Sequence, residues 1–116
     1  MKKALIHESR QIYLRSTSEF YEASVHYQQA RKMEPKYLKK SYWWFEYAGV
    51  LYLLKHYTFA EHFYKKSIKL GSIRSKGPIV HALVGDCEFS RYKFGAAVKS
   101  YKIYLKESNS EPDDFL

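Results

Sequence analysis

The stretch Tyr57-Thr58-Phe59-Ala60-Glu61-His62-Phe63-Tyr64 decides how the chain is read, because its pattern occurs three times. Phe20, Ala23 and Tyr27 repeat it upstream, and Phe94, Ala97 and Tyr101 repeat it downstream. An aromatic residue is followed three positions on by alanine and four further on by tyrosine. Each column recurs every 37 residues without a gap. Three columns in register at one interval mark a repeat architecture. Steps of three and four place the three side chains on one face of a helix. The alanine lets a second helix approach closely, and the rings pack around that contact.

A second helix is predicted upstream of each stripe: about Ala4 to Arg15, Ser41 to Leu54, and Pro78 to Arg91. Pro78 is a favourable first-turn residue. Ser16-Thr17-Ser18-Glu19 offers a capping box ahead of the first stripe. Pro35 ends the helix that carries Tyr27, Gly71-Ser72 ends the one that carries Tyr64, and Gly77-Pro78 opens the next pair. The pattern predicts an all-α chain of six helices in three antiparallel pairs, then a polar tail from about Glu107.

These residues resemble the tetratricopeptide repeat, whose pattern is Trp-x2-Leu-Gly-x2-Tyr … Ala-x3-Phe … Pro. The middle unit is most similar, with Trp44, Tyr47, Ala48 and Leu51, then Ala60 and Tyr64. The third offers Val84-Gly85, Ala97 and Tyr101, with His81 where tryptophan is usual. The first offers Ala23, Tyr27, Ala30 and Pro35 behind a poorly matching leading helix. The period of 37 exceeds the family's roughly 34, and the extra residues are expected around 36–40 and 71–77. The resemblance implies an α-solenoid of three helix-turn-helix repeats in a right-handed superhelix. It spans residues 1–106, with repeats at about 4–37, 41–73 and 78–107, and leaves an acidic tail at 107–116.

It also implies a non-catalytic module that binds a peptide or helix of a partner protein in a concave groove, as adaptor, scaffold or chaperone-like unit. The face carried over as groove comprises Leu5, Glu8, Ile12 and Arg15, then Tyr42, Phe45 and Tyr52, then Ile79, Asp86 and Phe89. Some members clamp a C-terminal carboxylate with Lys, Arg and Asn. Glu8, Ile12, Ile79 and Leu83 stand at the corresponding faces, so that clamp is missing. Phe20, Tyr57, Phe94, Trp44 and Gly85 join the alanines and tyrosines of the stripe as packing residues.

The net charge of +8 suits an acidic partner, and its placement decides what it means. Lys65, Lys66 and Lys69 fall on the second trailing helix, and Lys99, Lys102 and Lys106 on the third. Most of these read as a solvated convex face. The alternative is a basic surface that binds RNA or another polyanion, with tyrosines as stacking platforms, although no signature of a nucleic-acid module is present.

His7, His26, His56, His62 and His81 form no ligand spacing, and no nucleophile elbow or phosphate loop occurs, so neither metal, cofactor nor catalysis is expected. Cys87, the single cysteine, excludes a disulfide scaffold and reads as a small core residue. The longest apolar run, residues 42–54, contains Glu46 and is too short to span a bilayer, so a cytoplasmic or nuclear setting is expected. A repeat stack needs polar caps, and none follows the third unit. Self-association there, a partner that covers it, or further chain from a longer protein is expected, and the tail with Phe115 and Leu116 could dock on a neighbouring copy.

Overall fold

Two stretches of this sequence fold back on themselves in the same way. A computed structural model describes the backbone of residues 2–109 and the side chains of residues 18–109. Among them are six α-helices and no strand: α1 (Lys2–Met33), α2 (Ser41–Leu53), α3 (Tyr57–Lys69), α4 (Ser72–Lys76), α5 (Ile79–Ser90) and α6 (Phe94–Asn109). A 3-10 helix (Pro35–Lys39) joins α1 to α2. None of the described helices is long and apolar enough to cross a membrane.

Helices α2 and α3 form one hairpin, α5 and α6 another, and α3 packs against both α2 and α5. The two turns are the same structure. Lys55 and Tyr92, 37 residues apart, hold the left-handed conformation with φ of 65° and 63°. The His56 amide donates to the Leu51 carbonyl at 2.8 Å, and the Lys93 amide to that of Glu88 at 2.8 Å. The Lys55 amide donates to Tyr52 at 2.9 Å, and the Tyr92 amide to Phe89 at 3.0 Å. This is the Schellman arrangement, which satisfies the last carbonyls of a helix. It carries lysine and tyrosine where glycine is usual, so composition did not announce it.

The core follows the stripes. Ala60 and Ala97 are buried, as are Trp43, Tyr47, Ala48, Leu51, Tyr64, Val80, Val84 and Cys87. Trp43 donates through its indole N–H to the Tyr27 carbonyl at 3.2 Å, so this large buried ring leaves no polar atom unmatched. Phe20, Ala23, Tyr27 and Tyr57 are half-buried, whereas Phe94 is exposed.

The first unit departs from expectation. Instead of a break at Ser16–Glu19, α1 runs unbroken from Lys2 to Met33. The position equivalent to Lys55 and Tyr92 is Ser18, inside that helix. Residues 4–15 carry no apolar stripe comparable to 41–54, so little burial would offset the hydrogen bonds that a turn gives up. Without a proline or glycine to force it, the helix continues. Downstream the expected punctuation holds. Pro35 follows the end of α1, Gly71 (φ 100°) ends α3, and Gly77 (φ 84°) and Pro78 precede α5. The extra residues of the long period are taken up by the 3-10 helix and by α4, close to the expected 36–40 and 71–77.

Candidate binding cleft

Three helices leave a cleft of about 480 Å³ between α1 and α3, with α2 as its floor. Tyr21, Ser24, Gln28, Arg31 and Lys32 line it from α1, at the three- and four-residue steps of one helical face. Tyr47, Leu51 and Leu54 come from α2 and its end, and His56, Phe59 and Phe63 from the turn and α3. The floor is held firmly. The Tyr47 ring stacks on Tyr27 at 5.5 Å and meets Phe63 edge-on at 5.2 Å. The Gln28 amide donates to the Tyr47 hydroxyl at 2.6 Å.

The rim has a different character. Tyr21 and Phe59 are 62% and 60% exposed, so two large rings stand at the mouth. Arg31 and Lys32 lie in the last turn of α1, where cations complement the helix dipole. No aspartate or glutamate lines the cleft. A second hollow of about 270 Å³ adjoins it, sharing His56 and Phe59 and adding Lys55 and Arg91. Nothing in the sequence pattern joins Arg31 and Lys32 to His56. The signal was the 21-24-28-31 spacing on α1, which becomes a wall only once α3 stands opposite.

The groove residues fare unevenly. Tyr42, Ile79 and Phe89 are exposed. Phe45 is half-buried, edge-on to Tyr64 at 5.6 Å, with the Lys76 ammonium 5.3 Å from its ring. Tyr52 packs on Tyr57 at 5.2 Å, and its hydroxyl lies 3.5 Å from that of Ser90, linking α2 to α5. Asp86 accepts a hydrogen bond from the Tyr101 hydroxyl at 2.6 Å. Phe45, Tyr52 and Asp86 are therefore engaged in packing, and none of the groove residues whose side chains are described lines the cleft. The side chains of Leu5, Glu8, Ile12 and Arg15, and the tail from residue 110, lie outside the described residues.

The basic set is likewise divided. Lys65 pairs with Glu61 at 2.9 Å, and the Lys66 ammonium lies 5.9 Å from the Trp44 ring. Lys69, Lys99 and Lys102 are exposed. Glu61 is buried and also takes a hydrogen bond from Arg91 at 2.6 Å, tying α3 to the α5–α6 turn. Burial pushes the Glu61 carboxyl up, but hydrogen bonds from Lys65 and Arg91 outweigh it and hold its pKa below the ordinary value. Burial, reinforced by the negative field of Glu61 and Asp86, pushes the Cys87 thiol up to about 12. The Tyr101 hydroxyl is raised as well, by burial and by its bond to Asp86.

No protein-family model matches this chain, and no curated protein and no solved structure is detectably similar to it.

Proposed function

We propose that this chain is a non-catalytic interaction module of tetratricopeptide type that binds a peptide or helix of a partner protein. The observation that carries this reading is the open cleft with a fixed aromatic floor and two exposed rings at its mouth. Such a surface holds a guest's apolar side chains, and rings of this kind concentrate binding energy. The recurrence of one hairpin and one turn at the repeat interval supports the family assignment, and with it a superhelical stack whose exposed Tyr42, Ile79 and Phe89 offer a second contact face. The α1–α3 cleft, with its exposed rings, supports a principal contact there rather than on that face.

Affinity capture from the source cell tests the module. A protein retained by the native chain and released by the cleft variant Phe59→Ala supports the reading. Retention unchanged by both Phe59→Ala and the groove variant Tyr42→Ala counts against it.

A second reading rests on α6. Phe94, Val98 and Leu105 are about half exposed and share one helical face, and Phe89 meets Phe94 edge-on at 5.2 Å. An apolar face of this kind favours self-association. Sedimentation across a hundredfold concentration range tests it, with Val98→Lys expected to hold the chain monomeric.

A further inference from the structure

Resting on the interaction-module reading, we infer that the α1–α3 cleft receives a short acidic segment of a partner protein. One bulky apolar side chain sits on the ring floor, and flanking carboxylates meet the rim cations.

The charge distribution carries the inference. The main cleft is lined by Arg31, Lys32 and His56, and the adjoining hollow adds Lys55 and Arg91, with no carboxylate lining either one. Three ion pairs form among the described residues, and none of them neutralises the α1 wall. Lys65 and Arg91 are held by Glu61, and Lys36 lies 3.9 Å from Glu34. Arg31, Lys32 and Lys55 have no ion pair among the described residues, so their positive field is available to a guest. Exposed cations beside an apolar floor favour carboxylates over neutral groups and orient them.

The shape restricts the guest further. About 480 Å³ lies within the range of sites that enclose a compact ligand. The second hollow continues the first across Phe59 and His56. An extended chain advances about 3.3 Å per residue, so a segment of five or six residues can seat a ring in one hollow and reach the other. A polyanion without apolar side chains would meet the cations and leave the exposed rings of Tyr21 and Phe59 uncovered.

The test uses fluorescence anisotropy with the full chain and a labelled acidic peptide whose sequence does not occur in the chain, Asp-Asp-Glu-Phe-Leu-Glu. Two comparison peptides are Asn-Asn-Gln-Phe-Leu-Gln and Asp-Asp-Glu-Ser-Ser-Glu, and an oligouridylate serves as the polyanion. Saturable binding of the first peptide is expected, at least about tenfold weaker for each comparison peptide. The exposed-residue double variant Arg31→Gln/Lys32→Gln and the variant Phe59→Ala should each lower affinity by a similar factor, with unchanged circular dichroism. Equal binding of the uncharged peptide, indifference to the double variant, or no saturable binding overturns the acidic-segment chemistry. Oligouridylate that competes fully while the Ser-Ser peptide binds as well as the first also overturns it. A captured protein partner that depends on Phe59 but ignores Arg31→Gln/Lys32→Gln would overturn this inference alone and leave the module standing.

Discussion

The ring of Tyr101 occupies the place where a side chain at Gly85 would begin. A Cβ added at Gly85 would lie 2.7 Å from the Tyr101 Cε1 and 2.9 Å from its Cδ1. The Tyr101 hydroxyl is meanwhile tied to Asp86 at 2.6 Å, one residue along α5. The stripe tyrosine of the last unit is thus held against its own leading helix along one ring edge and at its hydroxyl.

Gly85→Ala should therefore destabilise the fold by about 1–3 kcal/mol, the usual cost of overpacking. Alanine favours a helix by about 0.5–1 kcal/mol over glycine, and the tethered ring outweighs that gain. Gly49 is the control, because a Cβ there meets only the Tyr64 hydroxyl at 3.5 Å, an ordinary contact. Gly49→Ala should leave stability unchanged or raise it by up to about 1 kcal/mol. Urea midpoints for the two variants should move in opposite directions or differ clearly.

Glu61 should make stability depend on acid pH. Its folded-state pKa lies below the ordinary value of 4.5. A lowered carboxyl stabilises the fold above that value, and the contribution disappears as pH falls through the folded pKa. Thermal melts of the native chain should lose several degrees between pH 6 and pH 3. Glu61→Gln should flatten that limb and cost about 1–3 kcal/mol at neutral pH, since the Arg91 hydrogen bond loses its charged acceptor. A variant melt that keeps the full acid dependence would show that other carboxylates produce it.

The two left-handed turn positions are open to improvement. A non-glycine residue there costs about 1–2 kcal/mol, and glycine recovers this less about 0.5–1 kcal/mol of extra unfolded-state freedom. Lys55 is exposed and holds φ at 65°. Lys55→Gly should raise stability by about 0.5–1 kcal/mol, read as a higher unfolding midpoint. A lower midpoint would mean that the lysine side chain contributes more than its backbone costs.

Cys87 should be inert in the folded protein. It is fully buried, and its thiol is pushed up to about 12, so about one molecule in ten thousand carries a thiolate at pH 8. Reaction with an aromatic disulfide reagent should be slow in buffer and fast in denaturant. Prompt labelling of the native chain would place the sulfur nearer to solvent.

The helical class, the repeat interval and most helix limits downstream of Pro35 were legible in the residues alone. The aromatic-alanine-tyrosine stripe is a one-dimensional pattern that helix geometry turns directly into a face, and Pro35, Gly71 and Gly77 act on the backbone beside them. The turns at Lys55 and Tyr92 were not visible as turns of that type, since neither residue favours the left-handed region. They arise because burying α3 on α2 and α6 on α5 outweighs a local penalty of about 1–2 kcal/mol.

The continuity of α1 and the cleft belong to tertiary structure for a related reason. The same capping residues at Ser16–Glu19 would start a new helix if the preceding segment had an apolar face to bury. What decides is the partner surface, which no local window contains. The cleft draws on residues 21–32, 47–54 and 56–63, each unremarkable in its own segment. Helix packing turned Phe45, Tyr52 and Asp86 toward neighbouring elements and left Tyr21, Arg31, Lys32 and Phe59 around an opening. Sequence periodicity determined which side chains share a helix face. Which of those faces is covered and which stays open was decided by how α1, α2 and α3 meet, because burial is a property of pairs of surfaces rather than of one.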